Sequence, residues 1–261
     1  MQIIISVIIP TLNESVALPS LLNDLQNQTE KNFEVIIVDG KSDDDTRKQA
    51  YKYNNTLHLH FFEFSKRNVS LQRNFGASKA NGEYLFFLDA DSRIKSDAIR
   101  NAIKHIVHEK DLLYLPKIES SNPSMRYRLL VNFSTLSVRL LQKIGKPLST
   151  GPIILVKRDF FNTLDGYDSS VVISEDHNLI VKAYKRGVKA HFLSDVECLF
   201  SMRRFEKEGI WNVVRKYAYF IVITLIKGGV YNKSKSFSYE TGGHNFSKAT
   251  EQSKHNHNTK N

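Results

Sequence analysis

Hydrophobic and polar positions fall into alternating blocks along the first half of the chain. Residues 3–10 (IIISVIIP) form an apolar, β-branched run, the pattern of a strand covered on both faces. Over residues 14–28 the rhythm changes, and Val16, Leu18, Leu21, Leu22 and Leu25 recur at helical spacing. A second apolar run, 33–38, ends at Asp39-Gly40, and residues 43–53 read as a second helix. A looser strand is expected at 57–64, then a helix at 70–80 stopped by Asn81-Gly82. A strand at 84–88, a helix at 97–108 and a short strand at 112–116 complete the series. Such alternation predicts an α/β domain: a mainly parallel, doubly wound sheet with helices on both faces.

The second half is less regular. Residues 125–144 place Leu129, Leu130, Phe133, Leu136, Leu140, Leu141 and Ile144 on one helical face, flanked by Arg126, Arg128, Arg139 and Lys143. A packed surface helix is the first expectation; a helix lying in a membrane interface is the alternative. Short strands at 153–156 and 190–193 bracket a helix at 175–185. From Lys233 onward Ser, Lys, Asn, His and Thr dominate, so residues 233–261 are expected to be a disordered tail.

Composition narrows the class. A chain of 261 residues with 41% hydrophobic and 25% charged residues suits one large globular domain. The net charge of +10 calls for an anionic partner. A single cysteine, Cys198, excludes an internal disulfide framework and a Cys-rich zinc site, and fits a reducing cytoplasm. The nine histidines show no metal-ligand spacing, so no histidine metal site is expected. The N-terminus runs directly into an apolar stretch that reads as a first strand rather than a signal peptide, and no apolar run approaches the roughly 20 residues that span a bilayer.

Candidate chemistry gathers at the strand ends, where doubly wound sheets bind ligands. Thr11 and Asn13 follow the first strand, Asp39 the second, and Asp89 and Asp91 the strand at 84–88. In an extended stretch residues i and i+2 point the same way, so Asp89 and Asp91 converge on one point. Two such carboxylates repel unless a cation or proton lies between them, and a hard divalent cation that also bridges phosphate oxygens is one remedy. A solvated Asp-X-Asp turn is the other explanation. Acidic Glu175-Asp176 opens a helix, which dipole stabilisation alone could explain.

Several segments resemble family 2 glycosyltransferases of the GT-A fold. Residues 6–14 (SVIIPTLNE) resemble that family's opening strand and loop, and 35–46 (VIIVDGKSDDDT) its second strand and base-binding loop. Gln72-Arg73-Asn74-Phe75-Gly76-Ala77 and 81–91 (NGEYLFFLDAD) are similar to its helix, turn and metal motif. Gly166-Tyr167-Asp168, Ser174-Glu175-Asp176 and 201–205 (SMRRF) are similar to its acceptor-side and basic motifs. The resemblance implies a GT-A domain over 1–232, with a nucleotide-binding half (1–116), an acceptor-side half (117–232) and a basic C-terminal extension. It implies an inverting transferase that moves a sugar from a nucleotide-diphosphate sugar to an acceptor hydroxyl in cell-envelope polysaccharide, glycolipid or related glycan synthesis. The donor would meet Pro10, Thr11, Asn13, Glu14, Asp39, Gly40, Arg73, Asp89, Ala90, Asp91, Arg203 and Arg204. Asp39 would accept N–H groups of the base, and the Arg73 fork would face the nucleotide. Asp91 with Asp89 would hold Mg²⁺ or Mn²⁺. Asp176 would be the general base and Glu175 its neighbour, orienting the acceptor or holding a cation. His177 departs from the aromatic residue frequent there and is expected to pack.

Two other classes compete. A nucleotidyltransferase would place a Gly-rich, basic loop after the first strand, whereas Thr11-Leu12-Asn13-Glu14 has no glycine. A non-enzymatic polyanion- or membrane-binding module would also use the charge, but no nucleic-acid reader motif is present. The expected partners are therefore a nucleotide-sugar donor, a glycan or lipid-linked acceptor and an anionic membrane surface, with no nucleic acid. The expected location is cytoplasmic, at the inner face of the membrane.

Overall fold

The computed structural model describes residues 3–149, 151, 153–171 and 174–227, and the expected tail (233–261) and domain limit (232) lie outside the described residues. The first half follows the alternation read from the chain: β1 (Ile5–Thr11), α1 (Leu18–Gln26), β2 (Phe33–Asp39), α2 (Thr46–Tyr51), β3 (Leu59–Glu63), α3 (Val69–Lys79) and β4 (Tyr84–Phe87). A short β5 (Arg93–Ile94) precedes α4 (Ala98–Glu109) and β6 (Leu113–Ser120). Next come α5 (Met125–Lys143), β7 (Ile154–Lys157), α6 (Arg158–Thr163) and α7 (Glu175–Lys185). The chain then runs through β8 (His191–Phe200), α8 (Arg203–Glu208) and α9 (Ile210–Lys227).

All eight strands join one sheet in the order β3-β2-β1-β4-β7-β6-β8-β5. β3, β2, β1 and β4 are parallel, with Ile8 opposite both Ile36 and Phe87. β7 runs against β4 and β6, and β8 pairs parallel to β6. β1 is buried along its whole length because its two faces feed two cores. Ile5, Val7 and Ile9 pack with Leu18, Leu21, Leu22 and Leu25 of α1. Ile8 packs with Ile36, Val38, Leu85, Phe87 and the α6–α7 side chains Phe160, Phe161, Leu179 and Ile180. Each such side chain contributes about 1.5–3 kcal/mol on burial. α3 lies so close to the sheet that a Cβ on Gly76 would sit 2.6 Å from Ile8 Cγ2.

Two expectations change. α1 starts at Leu18 rather than Glu14, because the preceding residues are bound into a loop: Glu14 N–H donates to Thr46 Oγ1 and Ser15 N–H to Asp44. α5 forms where expected, but its long apolar seam does not pack inward. Tyr127, Val131 and Val138 face the core, where Tyr127 and Val131 share a cluster with Met202, Phe205 and Val213. Leu129, Phe133, Leu136, Leu140 and Ile144 stay exposed, Phe133 to 71%.

Candidate active site

The loops beyond β1 and β2 are built into each other. Thr11 Oγ1 donates to Asp39 Oδ1 at 2.8 Å, and Ser42 donates to the same carboxylate from its hydroxyl (2.6 Å) and its N–H (2.8 Å). Asn13 N–H donates to Ser42 Oγ, and Asp43 N–H returns to Asn13 Oδ1 at 2.7 Å. Both loops turn through a left-handed residue, Asn13 (φ 56°) and Lys41 (φ 58°). Asn tolerates that region; Lys41 is held in it at a cost. From below, Gln72 Nε2 donates to the carbonyls of Thr11 and Val38, tying the two strand tips together under Gly40. Asn13 thus shapes the loop with its side chain, and Pro10 is buried within β1.

At the tip of β4 the expected extended geometry is replaced by a turn. Ser92 N–H donates to the Asp89 carbonyl, so residues 89–92 reverse the chain toward β5, which pairs with β8. Asp89 and Asp91 still interact: both act on Glu14, and burial, joined by Asp91 and opposed by Arg73, pushes the Asp89 carboxyl up. The turn, not strand alternation, brings them together. Ala90 points into the core, leaving only its backbone to a ligand.

Arg73 departs most from its expected role. Its side chain is 2% exposed and lies over the Tyr167 ring, 5.2 Å from the centroid. One guanidinium nitrogen donates to Asp89 (2.8 Å) and another to Glu175 at the start of α7 (2.7 Å). The cationic fork that the sequence suggested for the nucleotide is spent on two carboxylates. A guanidinium drawn this far from water must be paired, and it is paired here with both carboxylates. Burial pushes the Glu175 carboxyl up while Arg73 pulls it down, and the net direction is upward. Glu175 is therefore braced through Arg73 to Asp89, linking the start of α7 to the tip of β4.

Asp176, the next residue, is buried in the same first turn of α7. Its carboxylate lies 3.7 Å from His177 Nδ1, which accepts the Ser149 N–H at 3.1 Å. His177 thus anchors the 147–149 segment as well as packing. Arg203 bridges Glu14 (3.3 Å) and Asp91 (3.0 Å). Burial pushes the Glu14 carboxyl up to about 7 despite the pull of Arg203. Arg204 hydrogen-bonds Tyr217 of α9, whose phenol also feels Asp176. Glu14 after β1, Asp89 and Asp91 after β4, and Glu175 and Asp176 at the start of α7 thus lie within one another's fields, with Arg73 and Arg203 among them.

Sequence reading missed several parts of this arrangement. Ser42 and Asp44 wire the loops after β1 and β2 together, and Arg67 clamps the second loop through the Lys41 carbonyl (2.9 Å) and Asp43 (2.7 Å). Asn74 braces the far side, donating to the Tyr167 carbonyl and accepting its N–H. The residue types at Ser42 and Asp44, inside a polar loop after a strand, were a usable signal; Arg67 and Asn74 act through distant segments.

The donor set suits a hard divalent cation. Asp91 offers a partly exposed carboxylate, and Asp89 keeps one oxygen beyond the one given to Arg73. Oxygen ligands of this kind match Mg²⁺ or Mn²⁺. Among the described residues, the His-containing clusters lie elsewhere.

Residues 6–165 match the family described as Glycosyl transferase family 2. An uncharacterized glycosyltransferase of Haemophilus influenzae is 28% identical over 186 residues, covering 68% of this chain and 61% of that protein. The poly(ribitol-phosphate) β-N-acetylglucosaminyltransferase TarS of Staphylococcus aureus is 27% identical over 209 residues, 76% of this chain and 35% of TarS. The crystal structure of TarS 1-349 with UDP superposes with a TM-score of 0.63 at 22% identity, over 78% of this chain and 62% of that one. The mannosyltransferase PcManGT from Pyrobaculum calidifontis, solved with GDP-Man and Mn²⁺, gives 0.60 at 22% identity, over 75% and 56%. The chain spans less than two thirds of the length of each of these relatives. The α/β sheet is that of the GT-A neighbours, as the motif resemblance implied.

Proposed function

The chain belongs to glycosyl transferase family 2, and from that premise we propose that it is an inverting, divalent-metal-dependent transferase using a nucleotide-diphosphate sugar. The observation that carries this reading is the buried Arg73 clamp, which ties donor-side Asp89 to acceptor-side Glu175 and so sets Asp176 beside the donor tips. Residues 1–116 form the nucleotide-binding half and residues 117–232 the acceptor-side half. The base lies against the Asp39 loop, whose carboxylate accepts N–H groups. Asp91, with the second oxygen of Asp89, would hold Mg²⁺ or Mn²⁺. When bound, that cation takes up charge on the departing nucleoside diphosphate.

Asp176 accepts the proton of the acceptor hydroxyl as that oxygen bonds to the anomeric carbon and the bond from that carbon to the phosphate oxygen breaks. One base and one displacement give inversion. Arg203 and Arg204 face the diphosphate side. PcManGT was solved with GDP-Man and Mn²⁺, and TarS with UDP, which supports this class of donor and metal. The acceptor class is a cell-envelope glycan, in line with the poly(ribitol-phosphate) acceptor in the name of TarS.

A lipid surface is part of the proposal. No described helix is long and apolar enough to cross a membrane. The exposed row on α5 and Trp211 on α9 (83% exposed) instead offer apolar side chains at the surface. Arg126, Arg128 and Lys143 line the exposed side of α5. Apolar residues flanked by cations suit an anionic bilayer surface. α9 also carries Tyr217 toward Asp176, so a membrane-held acceptor would lie on the acceptor side of the site.

Incubation with UDP-, GDP- or dTDP-sugars and Mn²⁺, against a parallel mixture of NTP and sugar phosphate, tests the reaction class. Release of nucleoside diphosphate from one of the sugars supports the transferase. Pyrophosphate release from the NTP mixture alone would identify a nucleotidyltransferase instead.

A further inference from the structure

A second cluster of ligating groups lies by the opposite end of β4. Asp89 follows the C-terminal end of β4, whereas this cluster sits by the beginning of β4, where Tyr84 donates to the Asp111 carbonyl at 3.0 Å. α4 supplies His105 and Glu109, one helical turn apart on one face. Asp111 leads into β6, His191 opens β8, and Asp195 lies further along β8.

The contacts are ordered in a particular way. His105 Nε2 is 2.7 Å from Asp195 Oδ1, and His191 Nδ1 is 2.9 Å from Asp111 Oδ2. Each imidazole can therefore donate one N–H to an outer carboxylate, leaving a lone pair on its other nitrogen. Those other nitrogens both face Glu109: His105 Nδ1 is 2.9 Å from Oε1, and His191 Nε2 is 3.3 Å from Oε2. Ligand atoms of His105, Glu109 and His191 all lie within 4.8 Å of one another. Carboxylates behind metal-bound histidines fix the tautomer and raise ligand basicity, which is the role open to Asp111 and Asp195. All five side chains keep some exposure, so an ion in solution can reach them.

We propose that His105 Nδ1, His191 Nε2 and Glu109 form a site for a borderline transition-metal ion of the Zn²⁺ class, with Asp195 and Asp111 as outer-sphere partners. Two nitrogens and a carboxylate are the ligands of a His₂Glu site, completed by water in a fourth position. The donor set differs from the all-oxygen set of Asp89 and Asp91, so the two sites prefer different ions. The bound ion staples the end of α4 to the start of β8. The spacing that sequence reading sought is absent because the two histidines come from distant segments. Among the described residues, no carboxylate other than Glu34 pairs with His58 or His60 in the other histidine cluster, and Glu34 is already committed to Ser6 and Asn81.

The test is calorimetric titration of the EDTA-treated full chain with Zn²⁺, paired with the visible absorption spectrum of the Co²⁺ form. The site predicts saturable Zn²⁺ binding and a tetrahedral Co²⁺ spectrum, with a melting temperature that rises as the site fills. His105→Ala and His191→Ala should each weaken Zn²⁺ at least about tenfold, and Asp195→Asn should do so about tenfold through the outer sphere. His60→Ala should leave the Zn²⁺ isotherm unchanged and Asp91→Asn should leave the tetrahedral Co²⁺ spectrum unchanged, which separates this site from the other histidines and from the candidate active site. Absence of saturable Zn²⁺ binding, or His105→Ala and His191→Gln variants that stay folded and bind as the parent does, would overturn the proposal and leave the five groups as an ion-pair network.

Discussion

The two sides of the candidate site are held in different ways. Beyond β1 and β2, short polar side chains satisfy one another locally: Thr11, Ser42 and Asp39 close a nest within two adjacent loops. Beyond β4 and at the start of α7, the acids are held by arginines from distant segments, Arg73 from α3 and Arg203 from α8. The first side is rigid and satisfied, which suits recognition of a neutral base. The second is a balance of charges that a cation and a diphosphate can re-partition, which suits chemistry that creates and disperses negative charge.

The sharpest way to break this contrast is at the proposed base. Asp176→Asn should cut turnover by about 10²–10⁴-fold, the usual weight of general-base catalysis, with donor affinity unchanged. Initial rates and donor titration on one preparation check it; a variant with normal turnover ends the assignment.

Next in size is the clamp. Arg73→Met leaves Asp89 and Glu175 with an unpaired buried partner set, and should cost about 3–5 kcal/mol in denaturant unfolding. A loss under about 1 kcal/mol would mean that the charged side is not braced by Arg73. Asp89→Asn and Glu175→Gln in the same background should recover part of the loss, because the unpaired charges are gone.

Glu14 sharpens the comparison through pH. Its folded pKa is raised from 4.5 to about 7. The folded state therefore binds more protons than the unfolded state between those values. The stability this protonation contributes is present below pH 4.5 and is lost as pH rises to about 7. In EDTA the limb should amount to about 3 kcal/mol, and Glu14→Gln should flatten it. A Glu14→Gln stability profile that falls as steeply as the parent's over this range would place the origin elsewhere.

How much of this was legible follows the same division. The loops after β1 and β2 could be placed because their residues are close in sequence and fall at predicted strand ends. Strand β1 could be read because both of its faces are apolar. The function of Arg73 could not, since its partners Asp89 and Glu175 belong to other segments and nothing local marks a brace. The Asp89–Asp91 geometry was misread for a related reason: the chain must turn there to reach β5, whose pairing with β8 is invisible locally. The packed face of α5 was misjudged because the helix has two apolar faces, and periodicity alone does not say which one the core takes. The shorter one, with Tyr127, Val131 and Val138, won.

That exposed face gives the smallest expected effect. Phe133→Asp with Leu140→Asp should weaken binding to vesicles containing anionic lipid about tenfold at low salt, while turnover on a soluble acceptor stays the same. Flotation that is equal for parent and variant would remove α5 from the membrane contact.

The most direct measurement is calorimetric titration of UDP and GDP into the parent chain and into Asp91→Asn, each with Mn²⁺ and with EDTA. The carboxylates at the β4 turn predict that one nucleotide binds the parent tightly only with Mn²⁺, and that Asp91→Asn binds it weakly and equally in both conditions. Nucleotide affinity in the parent that is the same with Mn²⁺ and with EDTA would contradict the account.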